Sequence, residues 1–287
     1  MDAFIFPGQG SQHLGMGKDL FDEIEEFERL EPEIDALLGY SLRALCLEGG
    51  DRLRLTQNTQ PALYVVNHLH FLQARRDGRT ATVFAGHSLG EYNALAAAGV
   101  FDFVDGLRLV RRRGELMGET RGGAMTAVVG LRIGKIEATL RDAWLEDVDI
   151  ANHNAPTETV VSGTEAAIFR AEEAFRSAGA KVVVRLPVSA AFHSRHMTAA
   201  TAAFRTFLKN FQFKAPSVPV ISNVTGRPYP SGGWNGAVRV RLGEQIVSPV
   251  RWVSTIRYLK SRGVSEFLEL GPGNVLSRLV QQIPRPK

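Results

Sequence analysis

Cysteine is nearly absent from this 287-residue chain, which contains only Cys46. A single cysteine excludes an internal disulfide framework and any metal site built from several cysteines. Apolar runs of membrane-spanning length are also absent, and Met1 leads almost directly into an apolar strand rather than into a secretory leader. The sequence therefore predicts a reduced, cytoplasmic protein without a membrane segment.

Motifs for metals and nucleotides are missing as well. The seven histidines include no H-E-x-x-H pair, and there is no Walker A loop, so we expect no metal site. The net charge is +4, with arginines clustered at residues 75–76 and 111–113, but aromatic residues are not interleaved among them. This balance favours an acidic protein or a polyanionic coenzyme over nucleic acid as the partner.

The most informative stretch is residues 81–91, Ala-Thr-Val-Phe-Ala-Gly-His-Ser-Leu-Gly-Glu. A strand pattern leads directly into G-x-S-x-G, and a small-residue helix pattern follows over residues 92–98. A sharp strand-to-helix turn strains its central residue and leaves little room beside it, which explains the flanking glycines. We predict that Ser88 is a nucleophile and that the N–H of Leu89 points towards a developing oxyanion. An incidental serine in a glycine turn is the alternative, and the surrounding strand and helix disfavour it.

A second glycine loop, Pro7-Gly8-Gln9-Gly10-Ser11-Gln12, follows an apolar strand at residues 3–6. The backbone of such a loop can approach a ligand closely, although a glycine loop by itself is usually only a turn. If this loop lies beside Ser88, the N–H of Gln9 becomes a second oxyanion donor.

Strands alternate with helices through most of the chain, which predicts a mostly parallel sheet with helices on both faces. We expect helices over residues 17–38, 60–75, 102–117, 194–210, 235–247, 251–262 and 274–282. After Gly122-Gly123 the order becomes β-α-β-β-α-β, that of a split, ferredoxin-like unit. We therefore expect an α/β body of residues 1–123 and 189–287 with an inserted subdomain of residues 124–188.

A serine nucleophile needs a base, and a neutral imidazole is the usual one. His193 is the leading candidate because it lies where the insert returns to the body, and clefts between subdomains often hold sites. His87 is expected to face away from the Ser88 hydroxyl, while His68 and His70 lie in a helix. Spacing alone leaves open a structural role for His193 in a boundary loop.

Five motifs stand in the order of one known family: Pro7-Gly8-Gln9-Gly10-Ser11-Gln12, Gly86-His87-Ser88-Leu89-Gly90-Glu91, Arg113-Gly114-Glu115-Leu116-Met117, Phe192-His193-Ser194 and Gly271-Pro272-Gly273. Over nearly its whole length the chain resembles the malonyl-CoA:acyl-carrier-protein transacylases and the acyltransferase domains of polyketide and fatty-acid synthases. This resemblance implies an α/β-hydrolase-like body, with a mostly parallel sheet, and an inserted ferredoxin-like subdomain.

The resemblance also implies roles for individual residues. Ser88 would be acylated, His193 would act as general base and acid, and the N–H groups of Gln9 and Leu89 would form the oxyanion hole. Arg113 matches the arginine that holds the free carboxylate of malonate, a task suited to a planar, permanently charged guanidinium. Without the resemblance, Arg113 would read as one more charge on a basic helix.

Gln245 matches the position whose backbone carbonyl orients the histidine, so the family works with a Ser–His dyad and no triad acid. Asn154 and Ser162-Gly163 match a further motif of the insert, whereas Glu158 stands where glutamine is more usual.

The choice of acyl group is partly readable. Phe192 precedes the histidine where methylmalonyl-selective relatives tend to carry serine, and its ring leaves little room for an α-methyl group. Malonyl is therefore favoured, although Ala190 replaces a histidine that is common in malonyl-selective relatives. Leu89 follows the serine in place of glutamine.

The chain looks most like a discrete, trans-acting acyltransferase of a modular polyketide synthase, with a housekeeping fatty-acid transacylase as the nearer alternative. The resemblance implies malonyl-CoA as donor, the phosphopantetheine thiol of an acyl carrier protein as acceptor, no bound cofactor, and a monomer. Two other classes remain open: a serine acyl hydrolase that edits carrier-bound acyl groups, and a non-catalytic carrier-docking module. Arg113 and the missing triad acid disfavour the hydrolase, and intact Ser88 and His193 disfavour the docking module.

Overall fold

The computed structural model describes residues 1–286, and within them nine strands form two sheets. The strands are β1 (Asp2–Phe6), β2 (Val83–Gly86), β3 (Gly123–Val129), β4 (Asp149–Ala155), β5 (Glu158–Thr164), β6 (Val182–Arg185), β7 (Val220–Ser222), β8 (Arg227–Pro228) and β9 (Glu266–Glu269). The α-helices are α1 (Lys18–Glu23), α2 (Glu25–Leu38), α3 (Leu42–Glu48), α4 (Thr56–Arg76), α5 (Gly90–Ala97), α6 (Phe103–Glu119), α7 (Ile133–Asp142), α8 (Glu165–Ser177), α9 (Thr198–Leu208), α10 (Trp234–Gln245), α11 (Trp252–Ser261) and α12 (Val275–Gln282).

The larger sheet has the strand order β8-β7-β2-β1-β9, and its neighbours run parallel except for the edge pair β7 and β8. Side chains of β1 alternate between the faces: Phe4 and Phe6 enter one core, while Ala3 and Ile5 enter a second core that includes residues of α11 and α12. Both faces are therefore buried, as is usual for a parallel sheet. The central strand β2 ends at Gly86, at the carboxyl edge where ligands bind in such sheets.

The smaller sheet has the order β4-β5-β3-β6 and is antiparallel throughout. Helices α7 and α8 contribute to a separate core with it, to which Val128, Ile136, Ile168 and Phe175 belong. Other side chains of this sheet, including Met125, join the first core of the larger sheet. The smaller-sheet region, residues 123–185, thus packs directly on the larger-sheet region, which comprises the rest of the described chain.

Several helix boundaries differ from the predicted ones. The helix expected over residues 17–38 is two helices, because Ile24 between them has an extended backbone (φ −99°, ψ 101°). Helix α4 begins at Thr56 and continues through its proline at position 61, which costs the helix one backbone hydrogen bond.

The helix expected from residue 194 begins instead with a 3-10 turn at Arg195–Met197. Ser194 is extended there, and its Oγ accepts the N–H of His196. Three further elements have no predicted counterpart, namely helix α3, a 3-10 turn at Gly50–Arg54 and the two-residue strand β8. All three are too short to leave a clear periodic signal in the sequence.

Candidate active site

Ser88 lies in the turn between β2 and α5, with φ at +51°. A side chain on Gly86 would overlap the backbone of Gly90, and one on Gly90 would overlap the Phe6 carbonyl. The G-x-S-x-G spacing therefore reflects the close packing of strand, turn and helix. A left-handed serine is a strained conformation that the surrounding structure must hold in place.

Asn223, which directly follows β7, provides that hold. Its Oδ1 accepts the Ser88 N–H at 2.7 Å, and its Nδ2 donates to the Gly86 carbonyl at 2.6 Å. Sequence reasoning missed this residue. The available signal was its place at the carboxyl end of a strand beside β2, where polar side chains of parallel sheets gather.

His193 contacts Ser88 directly, with 2.8 Å between its Nε2 and the serine Oγ. Its Nδ1 lies 2.9 Å from the Gln245 carbonyl oxygen and 3.2 Å from that of Ser248. Carbonyls only accept, so Nδ1 carries the proton and Nε2 is free to accept the serine hydroxyl. The Gln245 carbonyl thus lies against the imidazole, and Ser248 is an additional acceptor that the sequence did not indicate.

The imidazole is held as firmly as the serine. His193 also has a positive φ, +57°, and is 4% exposed. Burial and the neighbouring Arg113 guanidinium lower its pKa to about 3. A neutral imidazole that accepts from a hydroxyl is suited to act as a general base.

Arg113 is 1% exposed, and its guanidinium reaches the same hydroxyl. Its Nη2 donates to Ser88 Oγ at 3.0 Å and to Gln245 Oε1 at 3.1 Å, while Nη1 donates to Gln60 Oε1 at 2.7 Å. The Tyr92 ring lies beneath it, 5.4 Å from the guanidinium carbon to the ring centroid. Within residues 1–286 no carboxylate forms an ion pair with it, and its direct hydrogen-bond partners are all neutral.

The two preceding arginines behave differently. Arg111 and Arg112 are partly exposed and both pair with Glu115 on the same helix. Arg113 instead belongs to the buried stripe of α6, together with Leu109, Val110, Leu116 and Met117. An interpretation of Arg113 as one more surface charge of a basic helix would be wrong. The sequence signal for its burial is the helical spacing that it shares with the apolar residues of this stripe.

The glycine loop after β1 packs against the serine turn, since a side chain on Gly8 would meet the His87 carbonyl. Gln9 and Leu89 line one cleft of about 230 Å³ together with Ser88. Apolar side chains complete its wall, namely Met117, Met125, Leu186, Val188 and Phe192. The loop and the turn, which are far apart in sequence, therefore meet at one cavity.

The smaller-sheet region reaches the turn through His87. The His87 Nε2 lies 2.9 Å from Asn154 Oδ1, and Asn154 Nδ2 donates to Glu158 Oε1 at 3.3 Å. His87 thus has its partner in the smaller sheet, while the Ser88 hydroxyl is partnered by His193 and Arg113. Glu158, where glutamine is more usual, here orients Asn154.

A wider groove of about 1270 Å³ lies between the two regions and shares His193 with the cleft. Its wall includes the exposed Trp144 together with Arg195 and Arg205, and Asp149 pairs with Arg195. Two openings therefore meet at the imidazole.

Two other kinds of feature are not found within residues 1–286. No helix there combines the length and the apolar character needed to cross a bilayer, and no group of three or more His, Cys, Asp or Glu side chains is arranged to hold a metal ion.

A parallel α/β sheet that presents a serine, a histidine and a buried arginine at one cleft defines an acyl-transfer class of protein. The sequence pattern of the acyl transferase domain family matches residues 3–285, and the chain belongs to that family. Two similar proteins are named for polyketide biosynthesis. The malonyl CoA-acyl carrier protein transacylase BaeC of Bacillus velezensis is 49% identical over 99% of this chain and 96% of its own length. The protein ThaF of Burkholderia thailandensis is 53% identical over 99% of this chain, which spans only 24% of ThaF.

The fold is matched as well. A chain of the PlMCAT:AntF structure, a type II PKS acyl-carrier protein in complex with its malonyl-transacylase, superposes with a TM-score of 0.92. The identity is 38%, over 98% of this chain and 92% of that one. The mixed α/β architecture is therefore that of a solved transacylase complex.

Proposed function

We propose that this protein is a malonyl-CoA:acyl-carrier-protein transacylase of polyketide biosynthesis. The observation that carries the proposal is the buried Arg113 guanidinium, 3.0 Å from a serine hydroxyl that also contacts a histidine. A cation without a carboxylate partner, beside a nucleophile, suits an acyl group that carries its own carboxylate. The name of BaeC agrees with this activity.

In the first half-reaction the Ser88 hydroxyl gives its proton to His193 Nε2 and attacks the thioester carbon of malonyl-CoA. The N–H groups of Gln9 and Leu89 stabilise the oxyanion that forms on the thioester oxygen. The Gln245 and Ser248 carbonyls stabilise the imidazolium through Nδ1–H. The carbon–sulfur bond then breaks, and the coenzyme A thiolate takes the proton from Nε2, which leaves malonyl-Ser88.

The second half-reaction runs the same steps towards a different thiol. The phosphopantetheine thiol of the carrier gives its proton to His193 Nε2 and attacks the acyl-serine carbon. The ester bond to Ser88 Oγ breaks, and the serine oxygen recovers the proton. Because His193 borders both openings, we infer that the carrier's arm approaches through the wider groove while the acyl group occupies the cleft.

Selectivity for malonyl follows from the cleft. A bidentate guanidinium fits the planar malonyl carboxylate, and the apolar wall excludes water that would weaken the pair. Phe192, 7% exposed, fills the space beside the acyl carbon and disfavours an α-methyl group.

We further propose the finer division of the fold, with an α/β-hydrolase-like body (residues 1–123 and 189–287) and a ferredoxin-like insert (residues 124–188). The antiparallel order β4-β5-β3-β6, reached through the chain order β-α-β-β-α-β, supports the insert. Ser88, His193, Arg113 and Gln245 all come from one chain, which supports a monomer as the working unit. We place the reaction in the cytoplasm and expect no resident cofactor, because the chemistry needs only the thioester donor and the thiol acceptor.

An acyl hydrolase is disfavoured by the contacts of His193. Its Nδ1 faces two carbonyls instead of a carboxylate, unlike the usual hydrolase triad.

The test is intact-mass measurement after incubation with malonyl-CoA, with and without a holo carrier protein. We expect a single malonyl adduct that is discharged mainly to the carrier. The Ser88→Ala variant should keep its fold and acquire no adduct, while the exposed control Ser189→Ala should load normally. A malonyl adduct on Ser88→Ala, or loss of the adduct to water at the same rate with and without carrier, would contradict the proposal.

A further inference from the structure

A buried carboxylate lies directly behind the active site and takes no part in the mechanism above. Glu91, the second residue of α5, is fully buried. Its Oε2 accepts from Gln245 Nε2 at 2.6 Å and from the Asn223 N–H at 3.1 Å, and its Oε1 accepts from the Tyr229 hydroxyl at 2.6 Å. Three donors thus converge on one carboxylate, as expected for an ionised acid.

Two of these donors belong to residues that hold the reacting groups. Asn223 clamps the strained backbone of the serine turn. Gln245 donates also to the Ser88 carbonyl at 2.9 Å, and its own backbone carbonyl orients His193. A single carboxylate therefore links the serine turn, the strand end after β7 and the end of α10.

The Gln245 side chain has only one satisfactory orientation between its neighbours. Its NH₂ group must face the Glu91 carboxylate, which only accepts, and its Oε1 must face Arg113 Nη2, which only donates. The Glu91 carboxylate, together with the Ser88 carbonyl, thereby sets the direction of the amide, and the amide holds the guanidinium beside the serine. If the amide turned over, two donors would face each other across Arg113 and Gln245.

Glu91 also balances the buried charge. Burial raises the pKa of Glu91 above its ordinary value, and the hydrogen bonds from Tyr229, Gln245 and Asn223 and the Arg113 charge offset only part of this rise. Burial lowers the pKa of Arg113, and the Glu91 charge acts in the opposite sense. The two charges therefore support each other across the neutral amide.

We propose that Glu91 is a positioning residue that fixes the Gln245 amide and, through it, aims Arg113 at the carboxylate of the acyl group. This inference rests on the proposed function, because it takes the malonyl carboxylate as the ligand of Arg113. It assigns selectivity for charged acyl groups to a residue that touches neither the substrate nor Arg113.

The test is Glu91→Gln, which preserves shape and removes the charge. The Ser88 carbonyl and Arg113 still favour the present orientation of the Gln245 amide. The introduced amide, however, is uncharged and can offer its own NH₂ to Gln245, so the Gln245 amide is held less firmly. We expect the KM for malonyl-CoA to rise about tenfold to 100-fold, as for loss of a charged hydrogen bond, with little change for acetyl-CoA. The matched control is Glu172→Gln, the same change at a buried carboxylate of the smaller-sheet region, which should leave the malonyl-to-acetyl ratio unchanged.

An exchange variant covers the case in which Glu91→Gln does not fold. Glu91→Gln combined with Gln245→Glu keeps one buried carboxylate but moves it against Arg113, where it competes with the acyl carboxylate. We expect a malonyl-to-acetyl ratio far below that of the wild type. A wild-type ratio in either folded variant overturns the inference about Glu91, whereas a wild-type protein that does not load malonyl contradicts the proposed function itself.

Discussion

Each region of the molecule holds a carboxylate of low exposure together with an arginine, but the two pairs are built differently. In the smaller-sheet region, Arg185 Nε donates directly to Glu172 Oε1 at 2.7 Å, and Thr126 donates to the same oxygen at 2.6 Å. In the larger-sheet region Glu91 and Arg113 do not touch, because the Gln245 amide stands between them.

The difference concerns what each arginine has left to donate. Arg185 is 39% exposed, and its Nε donates to the Glu172 carboxylate. This contact joins β6 to α8. Arg113 is buried and keeps Nη2 beside the Ser88 hydroxyl, while its Nε has no partner among the described residues. Because Glu91 acts through the neutral Gln245 amide, no carboxylate of the described chain pairs with the Arg113 guanidinium, and a substrate carboxylate can take that place.

The largest effect on activity is expected from a change of His193, which contacts Ser88 in the larger-sheet region and has no counterpart near the Glu172–Arg185 pair. His193→Ala should slow both malonyl loading and transfer by about 10²–10⁴-fold, because the same imidazole accepts the serine proton and later the carrier thiol's proton. The control His196→Ala should load and transfer malonyl at nearly the wild-type rate, because the His196 ring contacts the Asp147 carbonyl of the smaller-sheet region and not Ser88. Single-turnover loading measures both, and wild-type speed in His193→Ala would remove it from the mechanism.

Arg113→Ala tests whether Arg113, which is linked to Glu91 through Gln245, selects the acyl group. Malonyl-CoA would then bring a desolvated carboxylate into the cleft without a counter-charge, so we expect the malonyl-to-acetyl ratio to fall about 100-fold or more. Arg113→Lys should restore only part of it, because a point charge lacks the bidentate fork. Acyl-enzyme formation from the two thioesters in competition gives the ratio. An unchanged ratio in Arg113→Ala would place the carboxylate elsewhere.

The buried cation should also be visible in the titration of His193. Burial and Arg113 lower the pKa of this imidazole to about 3. A base works only when unprotonated and loses activity as pH falls through its pKa, so loading should persist below about pH 6.5, the ordinary histidine value. In Arg113→Ala the His193 pKa should rise. NMR titration of the imidazole follows both proteins, and a wild-type midpoint near the ordinary value would refute the shift.

Exposed arginines should differ from the buried one in their response to salt. If the acidic carrier docks beside the wider groove, transfer to it should fall severalfold as ionic strength rises, whereas malonyl loading should fall less. Arg205→Glu, in the groove wall, should lower transfer at low salt. The control is Arg75→Glu. Helix α4 begins near the cleft, and Arg75 lies at its far end. Equal salt dependence of loading and transfer would argue against electrostatic docking.

The smallest effect is expected when the direct ion pair between Arg185 and Glu172 is removed. Arg185→Ala should lower the free energy of unfolding by at most about 1 kcal/mol, because the pair is partly exposed and screened by solvent. Malonyl loading and the malonyl-to-acetyl ratio should not change. Denaturant unfolding and the competition assay check the two statements, and a changed ratio would show that this pair is coupled to the cleft.

Local chemistry explains how much of this protein can be read from its sequence. The strained turn at Ser88 can be predicted from the sequence, because the flanking glycines, the preceding strand and the following helix all lie within a few residues of it. The same holds for the alternating β-α-β-β-α-β order of the smaller-sheet region. Predicted helix boundaries are less accurate. The extended backbone of Ile24 divides one predicted helix in two, and α4 begins at Thr56 and continues through Pro61, whereas the predicted start is residue 60.

The partners of the site were decided only by tertiary structure. Gln60, Glu91, Asn223 and Ser248 are polar residues with no local motif that separates them from surface residues, and their acceptors or donors lie far away in sequence. Arg113 shows the division most clearly: its residue type and place on α6 are properties of the sequence. Packing of α6 against α4 and α5 buries it, and the relay through Gln245 leaves it free to bind, because burial and hydrogen-bond direction depend on which distant segments meet.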